Sequence, residues 1–106
     1  MDQIKRLKYF VDGQWLESKT EKYMPIYNPS TGDVIAEAPC CTADEVEAAI
    51  QSAKAAFPAW SNTPVMKRTQ VLYKFRELLI EHMDELAELC ALEHGKVLSE
   101  AKGDIL

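Results

Sequence analysis

The hydrophobic period of the chain changes between Pro39 and Thr42, and this change restricts the fold to strands followed by helices. Up to Pro39, residues 34–38 alternate between two faces, which is the two-residue period of a strand. From Thr42 onward, apolar residues recur every three or four positions, as on one face of a helix. We therefore predict an α+β chain, with strands within about residues 8–39 and helices at about 43–57, 64–81, 83–94 and 98–106.

The first helix has a specific start signal. Thr42-Ala43-Asp44-Glu45 is typical of a capping box, in which the Thr42 hydroxyl accepts a hydrogen bond from the Glu45 amide and the Glu45 carboxylate accepts one from the Thr42 amide. We expect the helix to end before Pro58, because proline lacks the amide hydrogen that a helix interior needs. Its predicted apolar face comprises Val46, Ala49, Ile50, Ala53 and Phe57.

Glycine and proline residues mark the boundaries within the strand-rich part. Asp12-Gly13 predicts a two-residue type I′ turn in a hairpin, because both residues tolerate positive φ angles. Pro25 cannot donate to a sheet, so its strand must be an edge or irregular strand. Asn28–Gly32 predicts a turn, with Gly32 in the left-handed conformation.

Similar signals mark the later helices. Thr63 is the predicted N-cap of the second helix, with Pro64 at the first helical position. Gly95 is the predicted left-handed cap that ends the third helix. The third helix is expected to bury Met83, Leu86, Leu89 and Cys90.

Composition excludes several classes of function. The formal net charge is −5, and the one basic cluster, Lys5, Arg6 and Lys8, is short enough to be a solvated tail, so we expect no nucleic-acid partner. No apolar run approaches the roughly 20 residues of a membrane span, and no signal peptide is visible, so we expect no membrane partner and a cytoplasmic protein. Three cysteines, two of them adjacent, indicate reduced thiols and not a disulfide framework.

Each candidate for chemistry has a stronger structural explanation. Cys90 and His94 share a helical face, but adjacent Cys40 and Cys41 are poor chelators, so we predict no metal site. Cys41 precedes a helix N-terminus, whose dipole favours a thiolate, yet no base lies near it in the sequence.

Two further patterns also have ordinary explanations. The carboxylates of one segment have the spacing of the solvated face of a helix; they are Glu81, Asp84, Glu85 and Glu88. Gly95-Lys96 lacks the second glycine and the following Ser or Thr of a phosphate loop. We therefore assign no catalytic, cofactor-binding or metal-binding residue within these 106 positions.

Several motifs, in order, resemble the N-terminal region of the aldehyde dehydrogenases. They are VDGQW, YNPSTGDVIAEAP, ADEVEAAIQSAKAAFPAW and EHGKVLSEAKGD, and the similarity extends from about Tyr9 to Leu106. The resemblance implies an α+β fragment of an α/β fold, in which hairpin strands and three to four helices form the outer, incomplete part of an NAD-binding domain spanning residues 1–106. Because aldehyde dehydrogenases are several times longer, we expect the chain to be an N-terminal piece.

Within that family, PVMKRTQVLYKFRELL and LEHGKVLSEAKGDIL are most similar to the methylmalonate-semialdehyde dehydrogenases. This resemblance implies an NAD-dependent, CoA-acylating oxidation of methylmalonate or malonate semialdehyde to propionyl-CoA or acetyl-CoA, with NAD and CoA bound by the complete enzyme. In the family a cysteine thiolate attacks the aldehyde, but none of Cys40, Cys41 and Cys90 matches that motif. The nucleophile, the base and the main NAD contacts are expected beyond position 106.

The resemblance also sets the expected partners. The piece alone should be inactive, should bind no cofactor and should self-associate or pack on the remainder of its own chain, while the complete enzyme should be a homodimer or homotetramer. The alternatives are another aldehyde dehydrogenase, such as a succinate-semialdehyde dehydrogenase, or a helical interaction module without enzymatic activity.

Overall fold

The computed structural model describes residues 4–105 and divides into two compact units. The first comprises Met1–Tyr27 and Val34–Asn62, and the second comprises Asn28–Asp33 and Thr63–Leu106. The strands are β1 Lys5–Arg6, β2 Tyr9–Val11, β3 Gln14–Leu16, β4 Tyr23–Tyr27 and β5 Val34–Pro39. The helices are α1 Ala43–Ser61, α2 Val65–Glu81, α3 Met83–His94 and α4 Leu98–Ile105. Predicted residue 106 of the last helix lies outside the described part.

A three-stranded sheet in the first unit has β5 at its centre. Strand β1 pairs with it in parallel, and β4 pairs with it antiparallel. Strand β4 is an edge with a register shift at Ile26 and Tyr27, which confirms the prediction made from Pro25. The predicted start of the strand-rich part at about residue 8 is wrong, because β1 begins at Lys5.

Strand β1 pairs with β5 through its backbone, and the side chain of Arg6 also finds partners in the sheet. The Leu7 amide donates to the Glu37 carbonyl over 2.9 Å. The Arg6 Nε lies 3.5 Å from Glu37 Oε1, and its guanidinium lies 4.5 Å from the centre of the Tyr23 ring. Arg6 is therefore solvated, with 65% of its side chain exposed, but it belongs to a strand and not to a tail.

The predicted hairpin consists of β2 and β3, which pair antiparallel across Asp12-Gly13. Both turn residues have positive φ, 52° for Asp12 and 74° for Gly13, as a type I′ turn requires. Phe10 and Trp15 are directly opposite each other, with ring centroids 4.9 Å apart. This aromatic pair stabilises the hairpin on its exposed side.

Helix α1 begins as predicted but ends later. Thr42 is the N-cap of a complete capping box, and the helix continues through Pro58 to Ser61. Proline removes only the bond to the carbonyl of Lys54, and residues 53–61 are exposed, so water can hydrate that carbonyl. Trp60 consequently lies within the helix.

Two predictions for the second unit are wrong: the N-cap of α2 and the burial of Leu89. Pro64, not Thr63, is the N-cap of α2, and the Thr63 carbonyl accepts a hydrogen bond from Arg68 Nε over 2.9 Å. Leu89 is 49% exposed, whereas Ala87 of α3 and Ala101 of α4 are fully buried. These two alanines allow α3 and α4 to pack closely, and Leu89 lies on another face of its helix.

In this unit the turn that ends at Gly32 contacts the end of α3 at Gly95. Gly32 has a φ of 81°, and the Asn28 carbonyl accepts a hydrogen bond from its amide over 2.7 Å. Gly95 ends α3 with a φ of 71°, and a β-carbon placed on it would lie 3.3 Å from Pro29 Cγ. The turn therefore contacts the end of α3, and the absence of a side chain on Gly95 allows this approach.

Among residues 4–105, no helix has the length and apolar character that crossing a membrane requires.

This packing predicts opposite effects for two glycine substitutions. Gly95→Ala should lower the free energy of unfolding by at least about 1 kcal/mol, because alanine is strained in the left-handed region and its methyl group would press on Pro29. Gly103→Ala is the matched control: Gly103 is helical with open space around it, so alanine should stabilise α4 by up to about 1 kcal/mol. Urea denaturation followed by circular dichroism measures both. Equal effects of the same sign would contradict this explanation.

Candidate functional site

The Glu45 carboxylate is the most strongly hydrogen-bonded side chain among the described residues. Its Oε1 accepts hydrogen bonds from the Ser18 hydroxyl at 2.6 Å and the Thr42 amide at 2.9 Å. Its Oε2 accepts one from the Lys19 amide at 2.8 Å. The Glu45 amide donates to the Thr42 hydroxyl at 3.3 Å, which completes the capping box. One carboxylate thus joins the N-terminus of α1 to the loop between β3 and β4.

These hydrogen bonds lower the pKa of Glu45 to about 2, with the bond from Ser18 as the largest cause, followed by the amides of Lys19 and Thr42. All these groups are donors, so they stabilise the ionised form. A carboxylate with this pKa is a poor general base at neutral pH, since efficient bases have pKa values near the operating pH. Glu45 is therefore a structural anion.

A shallow apolar groove runs along α1 beside Glu45. It has a volume of about 350 Å³ and is lined by Tyr9, Cys41, Glu45, Val46, Ala49, Ile50 and Ala53. Burial, followed by the charges of Glu45 and Cys41, raises the pKa of the Tyr9 phenol. The phenol is therefore protonated at neutral pH and can act only as a hydrogen-bonding or packing group.

A second polar cluster connects α3 and α4. Asp104 forms a salt bridge with Lys96 and accepts a hydrogen bond from Cys90 Sγ at 3.8 Å. The bond to Lys96 is the main cause of the lowered pKa of Asp104, and the same bond raises the pKa of Lys96. Lys102 Nζ lies 3.0 Å from Asp84 Oδ1. The Lys102–Asp84 pair joins α4 to α3, whereas the Lys96–Asp104 pair joins α4 to the loop that precedes it.

The residues weighed as chemical candidates do not converge. Cys40 and Cys41 lie together after β5, and Cys90 lies in the other unit; all three are free and partly buried. Within residues 4–105, no three His, Cys, Asp or Glu side chains form a group that could hold a metal ion. Asp84 and Glu85 have side-chain exposures of 85% and 72%, as expected for a solvated face.

Sequence reasoning missed the partners of the two polar clusters. Ser18 and Lys19 are separated from Glu45 by 27 and 26 positions, and no local pattern connects them. Lys96 lies in the loop before α4 and Asp104 lies within α4, so the spacing rules for side chains on one helix do not predict their pairing. The useful signal was the Ser18-Lys19-Thr20 loop itself, whose polar residues needed hydrogen-bond partners.

Comparison with known proteins identifies the family of this chain. The sequence model of the aldehyde dehydrogenase family matches residues 15–106. The chain therefore belongs to the aldehyde dehydrogenase family, and its elements form an α+β part of that fold.

Among its relatives are enzymes named for malonate and methylmalonate semialdehydes. The malonate-semialdehyde dehydrogenase of Bacillus pumilus is 46% identical over 102 residues, which is 96% of this chain and 21% of that enzyme. The acylating methylmalonate-semialdehyde/malonate-semialdehyde dehydrogenase of mouse mitochondria is 42% identical, over 96% of this chain and 19% of that enzyme.

A solved structure gives the same result at the level of the fold. A crystal structure assigned to methylmalonate-semialdehyde dehydrogenase of Sinorhizobium meliloti, in complex with NAD, superimposes with a TM-score of 0.91 at 38% identity. The match covers 98% of this chain and 21% of that chain. The chain thus spans about one fifth of the length of the relatives it matches.

The Glu45 network predicts an acid-dependent loss of stability. The pKa of Glu45 is lowered from 4.5 to about 2 on folding, so its contribution is fully present above about pH 4.5 and is lost as the pH falls towards 2. Glu45→Gln should lower the urea midpoint at pH 7, and the difference from the unmodified chain should shrink between pH 4.5 and pH 2.

Glu47→Gln is the control, because Glu47 is exposed on the same helix and makes no hydrogen bond to the Ser18 loop. It should keep the acid dependence of the unmodified chain. A constant difference between Glu45→Gln and the unmodified chain across this pH range would show that the charge of Glu45 is not responsible.

Proposed function

We propose that these residues form the outer part of the NAD-binding domain of an aldehyde dehydrogenase that oxidises malonate or methylmalonate semialdehyde. In this proposal NAD accepts the hydride, CoA accepts the acyl group, and the carboxylate of the substrate leaves as carbon dioxide, which gives acetyl-CoA or propionyl-CoA. The complete enzyme acts in the cytoplasm as a homodimer or homotetramer.

The observation that carries the substrate proposal is the identity of 46% to a malonate-semialdehyde dehydrogenase across 96% of the chain. The acylating activity in the name of the mouse relative supports CoA as the acyl acceptor. The NAD in the Sinorhizobium meliloti structure supports NAD as the oxidant. Family membership also favours an enzyme over a helical interaction module.

The residues described here would contribute a scaffold and not the chemistry. Glu45 is committed to four hydrogen-bond contacts, and Asp104 is committed to Lys96 and Cys90. The hydrogen bonds among residues 4–105 include none between a thiol and an imidazole, which would activate a nucleophile. We therefore propose that the aldehyde-attacking thiol of the complete enzyme is not Cys40, Cys41 or Cys90.

The test is an assay of the complete open reading frame that contains these residues. With NAD and CoA, the enzyme should form acetyl-CoA from malonate semialdehyde and show a higher kcat/KM for it than for succinate semialdehyde. The C40S/C41S/C90S variant should keep this activity, and the 106-residue chain alone should form no NADH above blank. A preference for succinate semialdehyde would overturn the substrate proposal, and loss of activity in the triple variant would overturn the scaffold proposal.

A further inference from the structure

We propose that Asp12 is a site of spontaneous covalent modification, at which the bond to Gly13 rearranges to an isoaspartyl linkage. In this linkage the chain continues through the side-chain carbonyl of Asp12, and the former backbone carbonyl becomes a free carboxylate. The inference goes beyond the proposed function, because it depends on the chemistry of one hairpin turn and not on the reaction of the complete enzyme.

The rearrangement is an intramolecular ring closure followed by hydrolysis. The Gly13 nitrogen attacks the side-chain carbonyl carbon of Asp12, the nitrogen loses its proton, the carboxyl group loses its hydroxyl, and one molecule of water leaves. The product is a five-membered succinimide ring. Water then adds to one ring carbonyl: cleavage at the side-chain carbonyl restores aspartate, and cleavage at the backbone carbonyl gives isoaspartate. No atom is oxidised or reduced, and water is the only co-reactant.

The sequence offers the least steric resistance to this ring closure at Asp12. A side chain on the following residue shields the attacking nitrogen, and glycine has none. No other aspartate or asparagine among the 106 residues precedes a glycine. A β-carbon placed on Gly13 would meet no described atom within 4 Å apart from those of its chain neighbours, so the space beside the nitrogen is open.

The hairpin turn leaves both reacting groups accessible. Asp12 and Gly13 are exposed at its tip, and Val11 and Gln14 form the last cross-strand pair before it. Within residues 4–105, the backbone hydrogen bonds outside helices and strands include none from the Gly13 amide, so ring closure breaks no backbone hydrogen bond there. Closure needs only a rotation of the Asp12 side chain and of the peptide plane that follows it, within an exposed loop tip.

Asp33 provides a comparison within the same chain. It is also exposed and directly follows a turn. Its next residue is Val34, whose branched β-carbon crowds the nitrogen and which pairs with Tyr27 in the sheet. The Asp33 carbonyl also accepts a hydrogen bond from the Asn28 amide over 2.8 Å, which holds this peptide plane in place. Asp33 should therefore remain unmodified under conditions that modify Asp12.

Rearrangement at Asp12 changes the hairpin, because the isoaspartyl linkage adds one carbon atom to the backbone of the turn. A two-residue type I′ turn matches the twist of its strands only with the normal backbone. The cross-strand pairs beyond the turn then lose their register. The contact between Phe10 and Trp15, whose ring centroids lie 4.9 Å apart, should be lost in the modified hairpin.

The test ages the complete enzyme at neutral pH in water enriched in the heavy oxygen isotope. Each passage through the succinimide places one labelled oxygen on residue 12, whichever way the ring opens. After digestion in ordinary water, mass spectrometry with fragmentation that distinguishes the two linkages should find label and isoaspartate at Asp12 and neither at Asp33. Absence of label at Asp12, or equal label at Asp33, would overturn the proposal.

Two variants at the same position test the ring closure itself. Asp12→Asn keeps a residue that tolerates the left-handed conformation and closes the same ring with loss of ammonia. It should react several-fold faster than Asp12, because an ionised carboxylate resists attack more than a neutral amide does. Asp12→Glu keeps the charge but would need a six-membered ring, so it should remain unlabelled. An asparagine that persists at position 12, or a labelled glutamate, would show that the succinimide route is wrong for this turn.

Discussion

The hydrogen bonds of the Glu45 carboxylate determine how the strand-rich start of the chain connects to its first helix. The carboxylate accepts hydrogen bonds from the N-cap amide of Thr42 and from the hydroxyl and amide of Ser18 and Lys19. Because one residue serves both groups, the end of β5, the start of α1 and the loop after β3 are fixed together. Loss of the charge would release the loop and the helix end at once, since the donors would have no ionised acceptor.

Local signals predicted the features that depend on neighbouring residues. The capping box, the Asp12-Gly13 hairpin, the edge strand at Pro25 and the left-handed Gly95 all follow from backbone conformation within a few positions, and the structure confirms each of them. The family followed from the order of such motifs. The Asn28–Gly32 turn and the Gly95 helix end were each predicted. Their contact was not predicted, because no local pattern indicates that Pro29 packs against Gly95.

The errors arise where solvent exposure or tertiary contacts override local preference. Pro58 stays in α1 because its surroundings are exposed to water, and β1 forms because its backbone pairs with β5. Leu89 is exposed because Ala87 and Ala101, the two fully buried residues of the described part, set the contact between α3 and α4. Long apolar side chains suggested a larger core than these residues form alone, which agrees with a chain that spans about one fifth of its relatives.

We propose that these residues form a scaffold of an aldehyde dehydrogenase and that the groups that react with the aldehyde belong to the rest of the enzyme. The most direct measurement replaces the matching N-terminal segment of the Bacillus pumilus malonate-semialdehyde dehydrogenase with this chain and assays the chimera under conditions in which that enzyme is active. The account predicts a soluble chimera with a kcat/KM within about tenfold of the original enzyme, a change of no more than about 1.4 kcal/mol in transition-state stabilisation. A chimera that folds to the same oligomeric size but has lost the activity entirely would contradict the claim, because the segment would then contribute to the chemistry.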